Sequence, residues 1–408
     1  MNGRGALRAL LISFTCFLLF QLSFQNSALA DSTYRVSGET RTVLESYDGP
    51  TGNAAFPVYQ YILLRMNKGT GNNSEKVRLY GRLAGDINDE VDADSRIYYA
   101  YYEKKGFWGD TDIRLGRQWI NSVAGSPILD GFQVSKRKVG SIKFSLFGGG
   151  FVTLEDDDSN DYVWGFSVGE QVLENTDLSL SYMQKRAGGD LAREYLGLSG
   201  VTRVARKGSA YAEAQYDMLS EIFGYYLAGV RLSPNSRWTV KAEYSGSNPV
   251  FDSTSIYSVF SVDEYRELSL SADYRLDRNW TIFSNYRKEY YTSFEDADVI
   301  EAGFDLFRPA GVGGYLVAVL RNGDEDLSGI KGNVRISKFH GIRLDLGAEI
   351  DVYNRTDDDL DDTTAKRFWA AGERKIAEDL DLSVKVERVE SMRYDYYNRG
   401  RVSLRYVF

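Results

Sequence analysis

Ile342-Arg343-Leu344-Asp345-Leu346-Gly347-Ala348-Glu349-Ile350-Asp351-Val352 alternates without a fault, apolar at the even positions and charged or glycine at the odd ones. Side chains of a β-strand point to opposite faces in turn, so this run has one apolar face and one polar face. Strict alternation over 11 residues is long for a globular strand, usually about five or six residues, and suits a tilted membrane crossing of about 9 to 11. The pattern recurs at Leu380, Leu382, Val384 and Val386 against Asp381, Ser383, Lys385 and Glu387, and again at Leu268, Leu270, Ala272 and Tyr274 against Ser269, Ser271, Asp273 and Arg275.

Working outward, the first 30 residues read as a cleaved secretory signal. Arg4 and Arg8 form a basic start, Ala9 to Phe24 an apolar run, and Ala28-Leu29-Ala30 a small-x-small cleavage site. The expected division is residues 1–30 as signal and 31–408 as one domain. Cys16, the only cysteine, leaves with the signal, so disulfides, thiolate metal sites, Cys-x-x-Cys redox chemistry and covalent haem attachment are excluded for the mature chain. Loss of Arg4 and Arg8 from the 49 Lys and Arg, against 58 Asp and Glu, leaves a net charge of −11 and no affinity for nucleic acid. The 29 Tyr and 21 Phe beside only 6 Pro fit a barrel with an apolar outside and a wet inside.

The chain ends on the same alternation: Val402, Leu404, Tyr406 and Phe408 face one way, Ser403, Arg405 and Val407 the other. This resembles the terminal-aromatic signature that outer-membrane β-barrels present to the barrel assembly machinery, with Tyr406 and Phe408 as the assembly signal. The resemblance implies an all-β, transmembrane, antiparallel up-and-down barrel in the outer membrane, in contact with lipopolysaccharide. Counting alternating segments from Tyr34 predicts about 22 strands (range 18–22), both termini periplasmic and no plug domain. Short turns are expected at Gly106 to Gly109, Lys138 to Gly140, Glu174 to Asp177, Ser233 to Arg237, Asp277 to Asn279, Pro309 to Gly311, Phe339 to Gly341 and Ala377 to Asp379; the connection from Asn67 to Glu75 reads as longer. Acidic stretches at Asp86 to Asp94, Glu155 to Asp161, Asp324 to Asp326 and Asp357 to Asp362 read as external loops. They lack the spacing of a calcium loop. Trp238 and Trp280 each open a strand after a short turn, the depth of a membrane girdle.

Catalytic chemistry is missing. The single histidine, His340, sits in the turn Lys338-Phe339-His340-Gly341, where a solvated turn residue is the simpler account than a general base. No enzyme, cofactor or metal site is expected. The run Gly148 to Gly150 lies in a strand and reads as a bend or close packing, not a phosphate loop. The alternation assigns Arg114, Gln118, Lys143, Lys241, Glu243, Arg275, Arg287, Arg343, Asp345, Glu349, Lys385, Glu387 and Arg405 to the lumen. Both signs are present, and no aromatic ladder can be traced among them.

Barrels of about 16 to 18 strands already enclose a channel, and those of about 22 are usually plugged. Two readings follow. One is a porin passing ions or small solutes, narrowed by the segment Ser247 to Asp263, the only connection judged long enough to fold inward. The other is a sheath around a partner such as a multihaem c-type cytochrome, resembling the barrels of porin–cytochrome electron conduits. A third, polysaccharide export, rests on Leu115-Gly116-Arg117-Gln118 and Leu129-Asp130-Gly131, which resemble a piece of export-barrel grammar and predict a basic ring involving Arg114 and Arg343.

Overall fold

The structure is a computed structural model describing residues 34–48, 52–139, 142–153, 161–204, 207–248, 264–308, 310–323, 325–355, 363–391 and 394–408. The signal segment, residues 249–263 of the long loop, and most of the acidic stretches beginning at Glu155 and Asp357 lie outside them.

Twenty-two wall strands pair antiparallel with their sequence neighbours among the described residues, from Tyr34–Asp48 to Tyr394–Val407, and a two-residue strand, Ala54–Ala55, caps the first at Tyr47 and Asp48. The first and last wall strands close the ring, with Glu39 opposite Val407 and Tyr47 opposite Arg399. Gly38 and Phe408 exchange backbone hydrogen bonds of 2.8 and 3.1 Å, so the start of the first strand and the end of the last stand on one rim. The count and the up-and-down order agree with the expectation of about 22. Strands run from 9 residues (Thr111–Trp119) to 15 (Tyr34–Asp48), the lengths of tilted crossings.

One residue face can be followed unbroken round the barrel through the pairing registers: Arg41 to Tyr61, Tyr61 to Arg82, Tyr80 to Tyr99, and on to Lys385, Arg401 and Glu45. That face holds most of the ion pairs; a few near strand ends, such as Arg117–Asp130, Lys288–Asp298 and Arg388–Glu390, lie on the other. The other face is apolar and open: Val386 is 55 % exposed although it lies between Lys385 and Glu387, and Leu320 is 56 % exposed. Large side chains left open in this way all round the wall make an apolar jacket that only hydrocarbon would cover. A closed ring is also the one sheet arrangement that leaves no edge unpaired in lipid. The ion-paired face is therefore the lumen.

On the rim carrying Tyr34 and Phe408, no connection exceeds five residues. The Asn67 to Glu75 segment, expected to be long, is a two-residue turn at Gly71 and Asn72 between strands Pro57–Thr70 and Asn73–Asp86. Its polar residues simply carry the ladder past the apolar band, where strand ends need not be greasy. The Phe339-to-Ile342 turn places His340 (φ 51°) and Gly341 (φ 80°) both in the left-handed region, the geometry of a type I′ hairpin. Two longer turns on this rim share one device. Asn235 Oδ1 accepts from the backbone N–H of Arg237 and Trp238 (2.9 and 3.0 Å), and Asp277 Oδ1 from Asn279 and Trp280 (2.7 and 2.9 Å). Each is an Asx turn that ends on a tryptophan opening the next strand. Trp238 packs at a tilt against Tyr274 (centroids 4.7 Å apart) and Trp280 against Phe304 (5.6 Å) on the apolar face. These two backbone donors hold the Asp277 carboxyl below its ordinary pKa.

Candidate functional site: a loop tethered inside the barrel

With a strand spacing of about 4.8 Å and a tilt of about 40°, a round ring of this size measures roughly 40 Å across its backbone. Among the described residues, the connection 120–127, between strands Thr111–Trp119 and Ile128–Val139, reaches inward and narrows it. The loop closes on itself first: Ile120 N–H donates to Pro127 O (3.0 Å), and Ser122 and Gly125 exchange backbone bonds of 3.2 and 3.1 Å. It then reaches across the wall. Ala124 N–H donates to Ser181 Oγ (2.9 Å), and Gln215 Nε2 donates to the carbonyl oxygens of Val123 (3.2 Å) and Ala124 (3.0 Å). Ser181 and Gln215 stand on other strands, Thr176–Ala187 and Gly208–Asp217, so the loop is tied down at a distance from its own hairpin.

An apolar cluster lies beneath it. Ile120, Ala124, Leu129, Phe147, Val163, Met183 and Tyr195 are all buried, with Phe151 packed against them. This is a small dry core inside a wet lumen. Fully burying a side chain such as Phe147 or Ile120 contributes about 1.5–3 kcal/mol. The wall under the loop is made to receive it. A Cβ at Gly197 would stand 2.3 Å from Ala124 N, so a larger residue there would push the loop away. Gly131 and Gly149 face each other across a strand pair with their backbones too close for side chains, so within the Gly148 to Gly150 run close packing accounts for Gly149 alone.

Open spaces flank the loop. One, of about 1090 Å³, is lined by hydroxyls including Ser135, Ser145, Ser167 and Ser179, with Lys143 and Glu213. The other, of about 770 Å³, lies against Gly125, Pro127, Lys185, Arg193 and Asn248.

The residues assigned to the lumen from the alternation fall into three situations. Most are held in ion pairs on the polar face. Arg114 pairs with Glu103 (2.7 Å), Lys241 with Glu243, Arg287 with Glu301 (3.6 Å), and Arg343 with Glu373 (3.0 Å). Asp345 takes Arg335 (3.3 Å) and the Trp369 indole N–H (2.9 Å). Arg367 links Glu349 to Glu387, which also holds Lys385, and Arg405 binds Glu39 and Asp381. Lys143 borders the hydroxyl-lined space, and Arg275 is exposed at a strand end. Gln118 is different. It shares the polar face but is wholly buried, its Nε2 donating to backbone oxygens such as Gly131 O (3.3 Å) and its Oε1 left without a partner.

Two features escaped the sequence reading. Connection 120–127 was not singled out because length was the criterion, and an eight-residue loop suffices when it lies flat along the wall; most of the Ser247 to Asp263 segment expected to narrow the pore lies outside the described residues. The signal of connection 120–127 was the apolar Ile120, Val123 and Ala124 facing a run of small inward residues, Gly131, Ser145, Gly165, Ser181 and Gly197. Aromatic contacts also occur on the lumen face: Tyr59, Tyr61, Tyr80, Tyr98, Tyr99 and Tyr101 touch in series. The rings come from three strands, and an irregularity between Tyr80 and Gly81 breaks the register there, so no single strand shows the series.

No protein-family model and no curated protein matches the sequence. Solved structures do match in shape. The translocation pore of the P pilus usher PapC superposes with a TM-score of 0.53 at 9 % identity, covering 91 % of this chain and 99 % of that one. OpdQ of Pseudomonas aeruginosa gives 0.48 at 10 % identity (92 % and 99 % covered), and OccAB2 of Acinetobacter baumannii 0.48 at 13 % (92 % and 98 %). The usher pore places the chain among large closed antiparallel barrels.

Proposed function

We propose that the chain is an outer-membrane channel of the porin type, passing ions and small solutes passively through a wide lumen narrowed by its own loop 120–127. The observation that carries this reading is the tether of that loop: Ser181 and Gln215 hold it inside the barrel over a buried apolar core. A chain that spends a dry core on constricting its own lumen is organised as a channel, whereas a sheath for a threaded partner would need that space free. In this reading Arg114, Lys143, Lys241, Glu243, Arg287, Arg343, Asp345, Glu349, Lys385 and Glu387 line the water path, with opposite charges paired so that the fixed field is weak over much of the wall. Trp238 and Trp280 anchor one interface, and Tyr406 and Phe408 serve insertion. No group among the described residues is assigned a catalytic role; His340 fills a turn.

The test is the conductance of the purified protein in a planar bilayer with KCl on both sides. Steady, reproducible steps are expected. A bilayer that stays silent after verified insertion, or one that shows only enormous, unstable currents, would reject a self-constricted pore.

A further inference from the structure

The lumen wall formed by strands Pro57–Thr70, Asn73–Asp86 and Arg96–Trp108 differs from the rest in two respects. First, its six tyrosines, Tyr59, Tyr61, Tyr80, Tyr98, Tyr99 and Tyr101, make a continuous series of ring contacts, with centroids from 4.9 to 6.3 Å apart. Arg82 lies 5.1 Å from the Tyr59 ring and Arg114 4.8 Å from the Tyr101 ring, closing both ends. Rings and guanidinium groups at these distances attract one another, so the series behaves as a surface and not as six independent side chains. All six rings are half-buried.

Second, the register sets arginine against arginine. Arg65 faces Arg78, Arg82 faces Arg96, and Arg41 faces Arg405. Like charges directly opposite destabilise a sheet. A carboxylate can relieve such crowding, as Glu45 does for Arg399 and Arg401 at 2.7 and 2.6 Å and as Glu39 and Asp381 do for Arg405. Among the described residues no carboxylate pairs with Arg41, Arg65, Arg78 or Arg82. Arg78 donates to the carbonyl oxygens of Met66 and Val77 and to Asn67 Oδ1, Arg82 to the carbonyl oxygen of Asp94, and Arg41 to Ser403 Oγ. Tyrosines stand among these cations: Tyr61 is opposite both Arg41 and Arg82, and Tyr101 is opposite Arg78.

Unpaired guanidinium charge beside ring faces is completed by an anion carried on a saturated, hydroxylated ring. The anionic group accepts paired N–H bonds from arginine, the ring's CH face lies on tyrosine, and the phenol hydroxyls donate to or accept from ring hydroxyls. We propose that this wall is a recognition track for sugars bearing an anionic group, whether a sugar acid or a sugar phosphate. The proposal deepens the channel reading and rests on it.

The experiment uses the full-length barrel in a planar bilayer with KCl, adding galacturonate, glucose 6-phosphate, glucose or acetate to one side and reading the concentration that halves the ion current. The expected result is half-block by a sugar anion at a concentration about tenfold below that of glucose or acetate, equivalent to about 1.4 kcal/mol. Block by galacturonate alone assigns the track to sugar carboxylates, and block by glucose 6-phosphate alone to sugar phosphates. Tyr80→Ala should raise the galacturonate or glucose 6-phosphate value towards that of acetate, with acetate itself unmoved, while Tyr80→Phe should keep the preference. Should Tyr80→Ala not insert, Arg65→Gln reads the same preference from the charged side. Equal block by acetate would show that charge alone acts, and equal block by glucose that the ring alone acts; either overturns the proposal, as does no block by any solute. Failure of the channel reading is separately visible, as a silent bilayer before any solute is added; sugar-anion binding to the detergent-solubilised barrel, measured by calorimetry, would then decide the track on its own.

Discussion

The inner wall under loop 120–127 and the inner wall from Glu325 to Val407 share one fold and almost nothing else. Below the loop, the inward positions are Gly131, Ser145, Phe147, Gly149, Gly165, Ser181 and Gly197, small or apolar, and the space they leave is filled by a loop. From Glu325 onward most are long and charged, and they bridge from strand to strand through Arg335–Asp345, Arg343–Glu373 and Arg367–Glu387. The outward faces of the two regions are alike: Leu180 and Leu198 in the first, Leu346 and Val386 in the second, all exposed. The lipid-facing half of the alternation therefore specifies the barrel, and the lumen half is free to become a docking bed in one sector and a water-facing charge lattice in another.

The sharpest way to break this contrast is to remove the loop. Replacing residues 121–126 with Asn-Gly should leave the ring intact and raise single-channel conductance about twofold, because the constriction and not the wall limits the current. Unchanged conductance would place the constriction elsewhere. Next in size, Phe147→Ala should lower the unfolding free energy by about 3 kcal/mol, as for a large side chain lost from a packed core. Val386→Ala, on the lipid face of the other sector, should cost less than about 1 kcal/mol in the same urea titration in detergent, since micelle or lipid hydrocarbon closes over the gap. Equal losses would mean that the lumen cluster is not a core.

The smallest effect concerns the turns. The Asp277 carboxyl is held below its ordinary pKa by the N–H groups of Asn279 and Trp280. Its contribution is thus complete above the unfolded value of about 3.9 and is lost as pH falls through the lower folded value. Trp280 fluorescence should stay constant from neutral pH down to about 4 and shift only below it. Asp277→Asn, which keeps an accepting oxygen, should remove that shift; persistence of the shift in the variant would assign it to another group.

The barrel was legible because its signal repeats. Ile342 to Val352, Leu268 to Arg275 and Leu380 to Glu387 each report the same two-faced strand, and a closing strand that ends at Tyr406 and Phe408 completes the ring opposite Glu39 to Tyr47. The lumen was legible only as a list of inward charges. Which of them would pair depends on the stagger between strands. Arg65 opposite Arg78, left without a carboxylate, and Arg367 between two glutamates cannot be told apart along the chain. Gln118 shows the same limit: its parity is that of a lumen residue, yet the tertiary packing buries it entirely.

Periodicity along the chain was enough to establish strands, their two faces and a count of 18 to 22, because lipid forces backbone groups into ladders and most outward side chains to be apolar; the closed ring of 22 came with the folded structure. Only the folded barrel decided which connection turns inward, which cations remain without carboxylates and which tyrosines meet. Those outcomes hang on contacts between strands far apart in sequence, and inside a water-filled lumen no solvent rule constrains them as lipid constrains the outside.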